Sequence, residues 1–244
     1  MIRIDINCDV GEGVGNEPDL MPLISSCNIA CGGHAGDHSS MDQTISLALK
    51  NNVKIGVHPS YPDRENFGRQ PMDMSPKDLT LELRKQVASF LEILNRYGAD
   101  LHHIKPHGAL YNAIAKDEVL AHCFLDAISE YDGVPIYVPF GSKIESVAMQ
   151  RGYPFFLEAF ADRTYDDELK LVSRTKPNSV LKDPKLVMEH LILMVKEQKV
   201  KTIDGNLIGI QADTFCVHGD TPSALEILTY LHQELPNHNI QIKR

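Results

Sequence analysis

Ile2-Arg-Ile-Asp-Ile-Asn-Cys-Asp-Val-Gly-Glu12 starts as an apolar, β-prone run and ends in amide, acid and glycine, with Asp5, Asn7 and Asp9 spaced two apart. Residues two apart in a strand share a face, so a strand over 2–7 that continues to residue 9 turns all three polar groups one way. Burying three such groups is costly unless they bind something. The same kind of junction recurs along the chain. Apolar runs also end in Cys31-Gly-Gly-His-Ala-Gly-Asp37, His58-Pro-Ser-Tyr-Pro-Asp63, Lys105-Pro-His-Gly108, Pro139-Phe-Gly-Ser142, Glu158-Ala-Phe-Ala-Asp162-Arg163 and His218-Gly-Asp220. In a (β/α) barrel every parallel strand delivers its C-terminal end to one face, so the seven junctions read as the rim of one site.

Working outward, the strands are expected at 2–7, 26–30, 53–58, 101–105, 134–138, 154–158 and 212–218, short and rich in Val, Ile, Leu or Phe as buried parallel strands are. Helical patterns lie between them at 41–51, 76–97, 117–131, 142–150, 184–198 and 222–235. Ser75-Pro76, Asp183-Pro184 and Thr221-Pro222 each put a cap residue before a proline at the first helical position. Leu79, Leu83, Val87, Phe90, Leu91 and Leu94 make an apolar stripe fit to pack on a barrel exterior. Strand alternating with helix implies parallel strands and right-handed crossovers. Seven units point to a seven-stranded (β/α) barrel resembling a TIM barrel, with an open doubly wound sheet as the alternative.

Composition narrows the function. Neither charge nor composition shifts abruptly and no Ser/Gly linker appears, so residues 1–244 read as one domain, with the proline-rich stretch 59–76 as a long functional loop. Thirty-three acids against 24 bases give a formal charge of −9, which disfavours nucleic acid as a partner. Met1-Ile-Arg-Ile-Asp reaches an acid within five residues and no segment has the length of a membrane span, so a soluble cytoplasmic protein is expected. Four of the five cysteines, Cys8, Cys27, Cys31 and Cys216, fall in or beside strands and read as buried thiols. Cys27 and Cys31 lack the second pair that a zinc ribbon needs.

The junctions supply the candidate chemistry. Asp9 suits a general base or a metal ligand, although with Glu12 it could merely cap the Gly11–Gly15 turn, whose three glycines do not fit a dinucleotide fingerprint. His34 and Asp37 sit three apart on a tight turn, as a His and its orienting carboxylate would, whereas His38 reads as the start of a helix. His58 ends a strand and is stiffened by prolines; Asp63, Arg64 and Arg69 beyond it read equally well as an anion clamp or as a solvated loop face. Lys105 is the strongest candidate for a buried cation, with His107 two residues on, while His102 and His103 lie earlier and read as structural. Glu158, Asp162, Arg163 and Arg174 are polar contributors after strand six, with a weak surface pair as the plain reading of Asp162-Arg163. His218 closes the set; Asp220 or Thr221 beside it can cap a helix. The catalytic candidates are thus Asp9, His34, Asp37, His58, Lys105, His107 and His218, and the substrate-binding candidates Asp5, Asn7, Glu12, Asp63, Arg69, Glu158, Asp162, Arg163 and Asp220. No P-loop, no Gly-x-Ser-x-Gly elbow and no His-Glu-x-x-His occurs, which leaves acid–base or metal-assisted chemistry.

Six ordered blocks resemble the LamB/YcsF family over essentially the whole chain: Asp5-Ile-Asn-Cys-Asp-Val-Gly-Glu12, Asn28-Ile-Ala-Cys-Gly-Gly-His-Ala-Gly-Asp37, His58 to Asp63 with Phe67-Gly-Arg69, Lys105-Pro-His-Gly-Ala-Leu-Tyr-Asn112, Phe160-Ala-Asp-Arg163 and Cys216-Val-His-Gly-Asp-Thr-Pro222. The resemblance implies a seven-stranded (β/α) barrel of the glycoside hydrolase/deacetylase type. It implies ATP-dependent opening of 5-oxo-L-proline to L-glutamate, with ATP as cosubstrate, and two further 5-oxoprolinase subunits as partners. Asp166-Asp-Glu-Leu stands where the family usually carries a glycine-containing turn. In this reading Asp9 or a nearby His positions water and Lys105 stabilises developing charge. Two other readings stay open: a metal-dependent deacetylase-like hydrolase with a divalent ion on Asp9, His34 and His58 or His107, and a non-catalytic protein that binds the lactam and delivers it to its partners.

Overall fold

A computed structural model describes residues 1–243. Seven parallel strands close into a barrel in the order β1 (Ile2–Val10), β2 (Ser26–Ala30), β3 (Lys54–His58), β4 (His103–Ile104), β5 (Ile136–Pro139), β6 (Phe155–Phe160) and β9 (Thr214–Cys216), the last pairing back onto β1. The closed barrel, rather than the open sheet, is the architecture. Its helices are α1 (Glu17–Leu20), α2 (His38–Lys50), α3 (Pro76–Arg96), α4 (Gly108–Ile114), α5 (Glu118–Ala127), α6 (Lys143–Arg151), α7 (Pro184–Glu197) and α8 (Ala224–Glu234).

The alternation in β1 explains the closure. Ile4, Ile6, Cys8 and Val10 join the hydrophobic core, while Asp5, Asn7 and Asp9 make polar contacts to β2, β6, β9 and the chain just past β4 across the interior. Outside, α3 buries Leu79, Leu83, Val87, Phe90, Ile93 and Leu94, each worth about 1.5–3 kcal/mol on burial. Its start is fixed by the Ser75 hydroxyl, which accepts from the Asp78 amide, and α7 starts likewise on Asp183. The third expected cap differs: α8 begins at Ala224, and the Thr221 hydroxyl donates to Asp162 at 3.2 Å instead.

Besides the single turn of α1, three pieces went unforeseen. β7 (Lys199–Lys201) and β8 (Leu207–Gly209) form an antiparallel hairpin beside the barrel, and β10 (Ile240–Ile242) pairs parallel with the start of β1. Each is three residues long, too short for a periodic signal. The third is α4, which starts directly after His107 and carries Tyr111 back over the strand ends. β4 itself shrinks to two residues, because His102 and Lys105 hydrogen-bond as extended chain just outside it. Gly56 gives His103 its place inside the barrel, since a Cβ there would come within 2.1 Å of the imidazole. In the 166–169 turn, Leu169 takes a positive φ of 60° in place of a glycine, and Asp166 Oδ1 accepts from the Glu168 and Lys170 amides. Among the described residues no helix is long and apolar enough to cross a membrane.

Candidate active site at the barrel mouth

Lys105, just past β4, is the electrostatic centre. Its Nζ lies 2.9 Å from Asp9 Oδ1, 2.8 Å from Glu158 Oε1 and 3.3 Å from Asn7 Oδ1, with the Phe160 ring 5.3 Å away. Burial alone would pull its pKa down, but the Asp9 and Glu158 carboxylates outweigh it and hold Lys105 charged. Burial likewise pushes Asp9 up, and Lys105 and His58 more than reverse that, so Asp9 is a carboxylate. Asn28 donates to both Asp9 Oδ1 (2.7 Å) and Asn7 Oδ1 (2.8 Å), and Asn7 donates to Glu158 and Thr214, both at 2.9 Å. Asn7 therefore positions the charged groups from beneath. Asp5 lies deeper still, accepting from Ser26 (2.7 Å), Thr214 (2.8 Å) and Lys54 (3.2 Å). Both sit below the cavity, a correction to their reading as substrate contacts.

Beside this pair three imidazoles gather at the ends of β2, β3 and β4. Each is anchored through one ring nitrogen. His58 Nδ1 donates to the Lys105 carbonyl (2.6 Å) and His107 Nε2 to the Phe67 carbonyl (3.0 Å). The Ser60 hydroxyl donates to the Tyr61 carbonyl (2.9 Å), so His34 Nδ1 donates to Ser60 (2.9 Å). In the neutral rings the remaining lone pairs, on His58 Nε2, His107 Nδ1 and His34 Nε2, then face one another and Glu12. His58 Nε2 is 3.0 Å from His107 Nδ1, and Glu12 Oε1 is 3.0 Å from His34 Nε2 and 3.4 Å from His107 Nδ1. Facing lone pairs repel, and a proton or a cation placed between them would relieve that repulsion. Burial, with the Asp9 and Asp220 charges, raises the Glu12 pKa well above the usual range; burial first, then the neighbouring imidazoles, lowers His34 and His107.

The donors test a metal. Glu12, His34, His58 and His107 each bring one ligand atom within 4.8 Å of the others, and imidazoles anchored through their second nitrogen are what zinc-class ions use. The His34 and His107 rings, however, stack at 3.7 Å and 4°, so one ion cannot lie in both ring planes. His58, His107 and Glu12 are the donors that fit without turning a ring; the His58 and His107 rings stand at 87°. Gly68 closes this corner, since a Cβ there would come within 2.8 Å of His34 Cβ.

At the far rim the Asp162 carboxylate accepts from the His218 backbone amide (3.0 Å), its Nδ1 (2.9 Å) and Thr221. Burial would raise the Asp162 pKa, and His218 reverses this and lowers it. The contact leaves Nε2 as the lone-pair nitrogen of a neutral His218. Asp162 and Arg163 are no surface pair: both are buried, and Arg163 donates to the Ser179 and Val172 carbonyls, with burial pulling its pKa down to about 10. Arg69 pairs with Asp220 and stacks on Phe67 at 4.7 Å, and Arg174 stands 4.0 Å from the same carboxylate. A cavity of about 700 Å³ opens between these walls, lined by Asp9, His58, Lys105, His107, Glu158 and His218 among others.

Two candidates fall away. Asp37 is exposed and caps α2, accepting from the Ser40 amide; the carboxylate on His34 is Glu12. Asp63 accepts from the Asn66 amide and side chain, shaping its own turn rather than clamping an anion. Asn28 and Tyr111 were missed as individuals, although both lie inside the blocks of resemblance. Asn28 follows Ser26 by two residues on β2, an alternation the chain shows plainly.

Residues 4–244 match the model of the LamB/YcsF family. A protein of Pyrococcus furiosus that bears the name of the A subunit of 5-oxoprolinase is 38% identical, over 99% of this chain and 97% of its own length. One of the same name from Oceanobacillus iheyensis is 41% identical, over 99% and 96%. The crystal structure of a lactam utilization protein from Thermus thermophilus superposes with a TM-score of 0.92 at 33% identity, covering 99% of both chains.

Proposed function

Because the chain belongs to the LamB/YcsF family, we propose that it is one component of an ATP-dependent 5-oxoprolinase and that its barrel mouth opens the lactam ring of 5-oxo-L-proline to give L-glutamate. Lys105, buried between Asp9 and Glu158 at the floor of the cavity with His58 beside Asp9, carries this reading. A five-membered lactam is a resonance-stabilised amide, so water attacks it slowly without activation. ATP supplies the activation at the lactam oxygen, and in this reading the partner subunits bind it, the chain carrying no P-loop of its own.

The residues divide the work. Asp9, held ionised, orients a water and steadies His58, whose Nε2 takes the water's proton. Once ATP has phosphorylated the lactam oxygen and left as ADP, the water oxygen bonds to the ring carbon, the carbon–nitrogen bond breaks, and the proton returns to the nitrogen, which becomes the amine. A second water then cleaves the resulting acyl phosphate to L-glutamate and inorganic phosphate. The three N–H donors of Lys105 are already engaged by Asp9, Glu158 and Asn7, so it contributes a fixed positive field toward developing negative charge. Arg69, Arg163 and Arg174 give the rim the positive charge that an anionic substrate needs. Asp9→Asn should lower single-turnover hydrolysis by the assembled complex at least about a hundredfold; near-normal turnover overturns the assignment.

The convergence of Glu12, His58 and His107 favours one second reading, a divalent ion in the same mouth. Such an ion would supply a Lewis-acid-activated water. Metal analysis of freshly purified protein decides: a stoichiometric ion whose removal abolishes turnover supports it, and metal-free active protein excludes it.

A further inference from the structure

Among the described residues, five buried side-chain polar atoms have no hydrogen-bond partner, and two of them, the Tyr111 hydroxyl and Glu158 Oε2, belong to residues lining the same cavity. Tyr111 is 4% exposed and Glu158 1%, so water-facing rotamers do not satisfy them. Both are held where they are. Glu158 Oε1 is fixed by Lys105 at 2.8 Å and Asn7 at 2.9 Å, which leaves Oε2 as the free lobe. The Tyr111 ring meets Phe160 edge-on at 5.7 Å and 88°. Tyr111 faces Glu158 at the edge of hydrogen-bond reach: burial first, then that carboxylate's charge and its contact with the hydroxyl, raise the phenol pKa, so the hydroxyl is a neutral donor that a bound molecule must draw away from Glu158. Each unpaired buried group costs about 1–3 kcal/mol, and a bound molecule that pairs both recovers it.

A neutral donor next to an anionic acceptor specifies its complement. The ligand must present a carbonyl oxygen and an N–H side by side on one edge. An amide does this only when its C=O and N–H are cis. Open-chain secondary amides are held trans by about 2.5–4 kcal/mol and point the two groups in opposite directions. A five-membered lactam is cis by ring closure. We infer that Tyr111 and Glu158 form a cis-amide reader, the phenol donating to the lactam carbonyl and Glu158 Oε2 accepting from the ring N–H, so that this mouth takes cyclic amides and rejects open-chain secondary amides and lactones. The inference rests on the lactam reading above and adds the residues that recognise the ring.

Two analogues separate the contacts. The lactone counterpart of 5-oxoproline, 5-oxotetrahydrofuran-2-carboxylate, keeps the carbonyl and carboxylate but puts an oxygen lone pair against Glu158. N-acetylglycine offers a trans amide with a carboxylate. Calorimetric titration of the full chain, alone and in the assembled complex, should find 5-oxoproline bound at least about tenfold more tightly than either, since a hydrogen bond to a charged group is worth about 1.5–3 kcal/mol. Tyr111→Phe should weaken lactam and lactone alike by about fivefold or more, leaving their ratio intact, because only the carbonyl contact is lost. Glu158→Gln keeps an oxygen for Lys105 and Asn7 but can turn an NH₂ toward the cavity, and should bring the lactam-to-lactone ratio close to one. Thermal melts establish that both variants are folded, and Tyr111→Phe keeps the test open if Glu158→Gln is not. Equal binding of lactam and lactone by the wild type, or unchanged lactam affinity in Tyr111→Phe, overturns the reader while leaving a lactam site standing. Binding of neither compound, in chain or complex, overturns both.

Discussion

The barrel holds two polar layers, one at the floor and one at the mouth, and only the second has hydrogen-bonding capacity left over. At the floor Asp5 accepts from Ser26, Thr214 and Lys54, the Tyr137 hydroxyl donates to Ser26 at 3.2 Å, and His103 stacks on Tyr137 at 3.9 Å while donating to Asn28 at 2.6 Å. None of these side chains leaves a buried polar atom unpaired. Four residues further along the same face of β1, Asp9 borders a cavity of about 700 Å³ whose wall carries two unpaired atoms, on Tyr111 and Glu158. Buried polarity alone thus does not mark a site. A closed network specifies the fold, and unspent donors and acceptors beside a cavity specify a ligand.

Removing the shared cation should break the mouth most severely. Lys105→Met leaves Asp9 and Glu158 buried without compensation, so stability should fall by about 3–5 kcal/mol. Turnover should fall by a factor of about 10²–10³, as when a preorganised charge is removed. Denaturant unfolding and single-turnover hydrolysis measure the two losses separately; a stable, active variant would dissolve the distinction between the layers. Asp162→Asn comes next, at about 1.5–3 kcal/mol for hydrogen bonds to a charged group. Its sign with pH is fixed. The folded pKa of Asp162 is held below its ordinary value, so its contribution is complete above about pH 4 and is lost as pH falls through the folded value. The penalty of the substitution should therefore be largest at neutral pH and fade in acid. Asp5→Asn tests the floor, with a loss of about 1–3 kcal/mol from broken buried hydrogen bonds and no change in the binding of 5-oxoproline.

How much was legible follows from the same contrast. The seven strands and the ring of their ends could be read, because each strand is an apolar run cut by glycine, proline or charge. That Lys105, Asp9, His58, His107 and His218 gather around one cavity could be read, because strand ends converge whatever the details of packing. Depth could not. Asp5 and Asp9 look alike in the chain, and only the barrel's stagger puts one under the floor and the other at the mouth. Pairing across the barrel could not be read either: His34 finds Glu12, 22 residues away, because the turns after β1 and β2 fold toward each other. Tyr111 was hidden because α4 is only seven residues long and gives no periodic stripe.

The smallest expected effect tests the pairing most directly. Proximity in sequence makes Asp37 the natural carboxylate for His34, yet its side chain is exposed and holds the Ser40 amide at 2.8 Å as the first cap of α2. The Ser40 hydroxyl reciprocates by accepting from the Asp37 amide at 2.8 Å, so the residue is spent on the helix N-terminus. Asp37→Ala should cost about 1 kcal/mol of stability, the usual worth of an N-cap, and Asp37→Ser should restore most of it because serine caps equally well. Neither change should alter lactam hydrolysis. If Asp37→Ser keeps the fold's stability but loses turnover, the carboxylate itself is needed, and the division between groups that build the barrel and groups that face its ligand has been drawn in the wrong place.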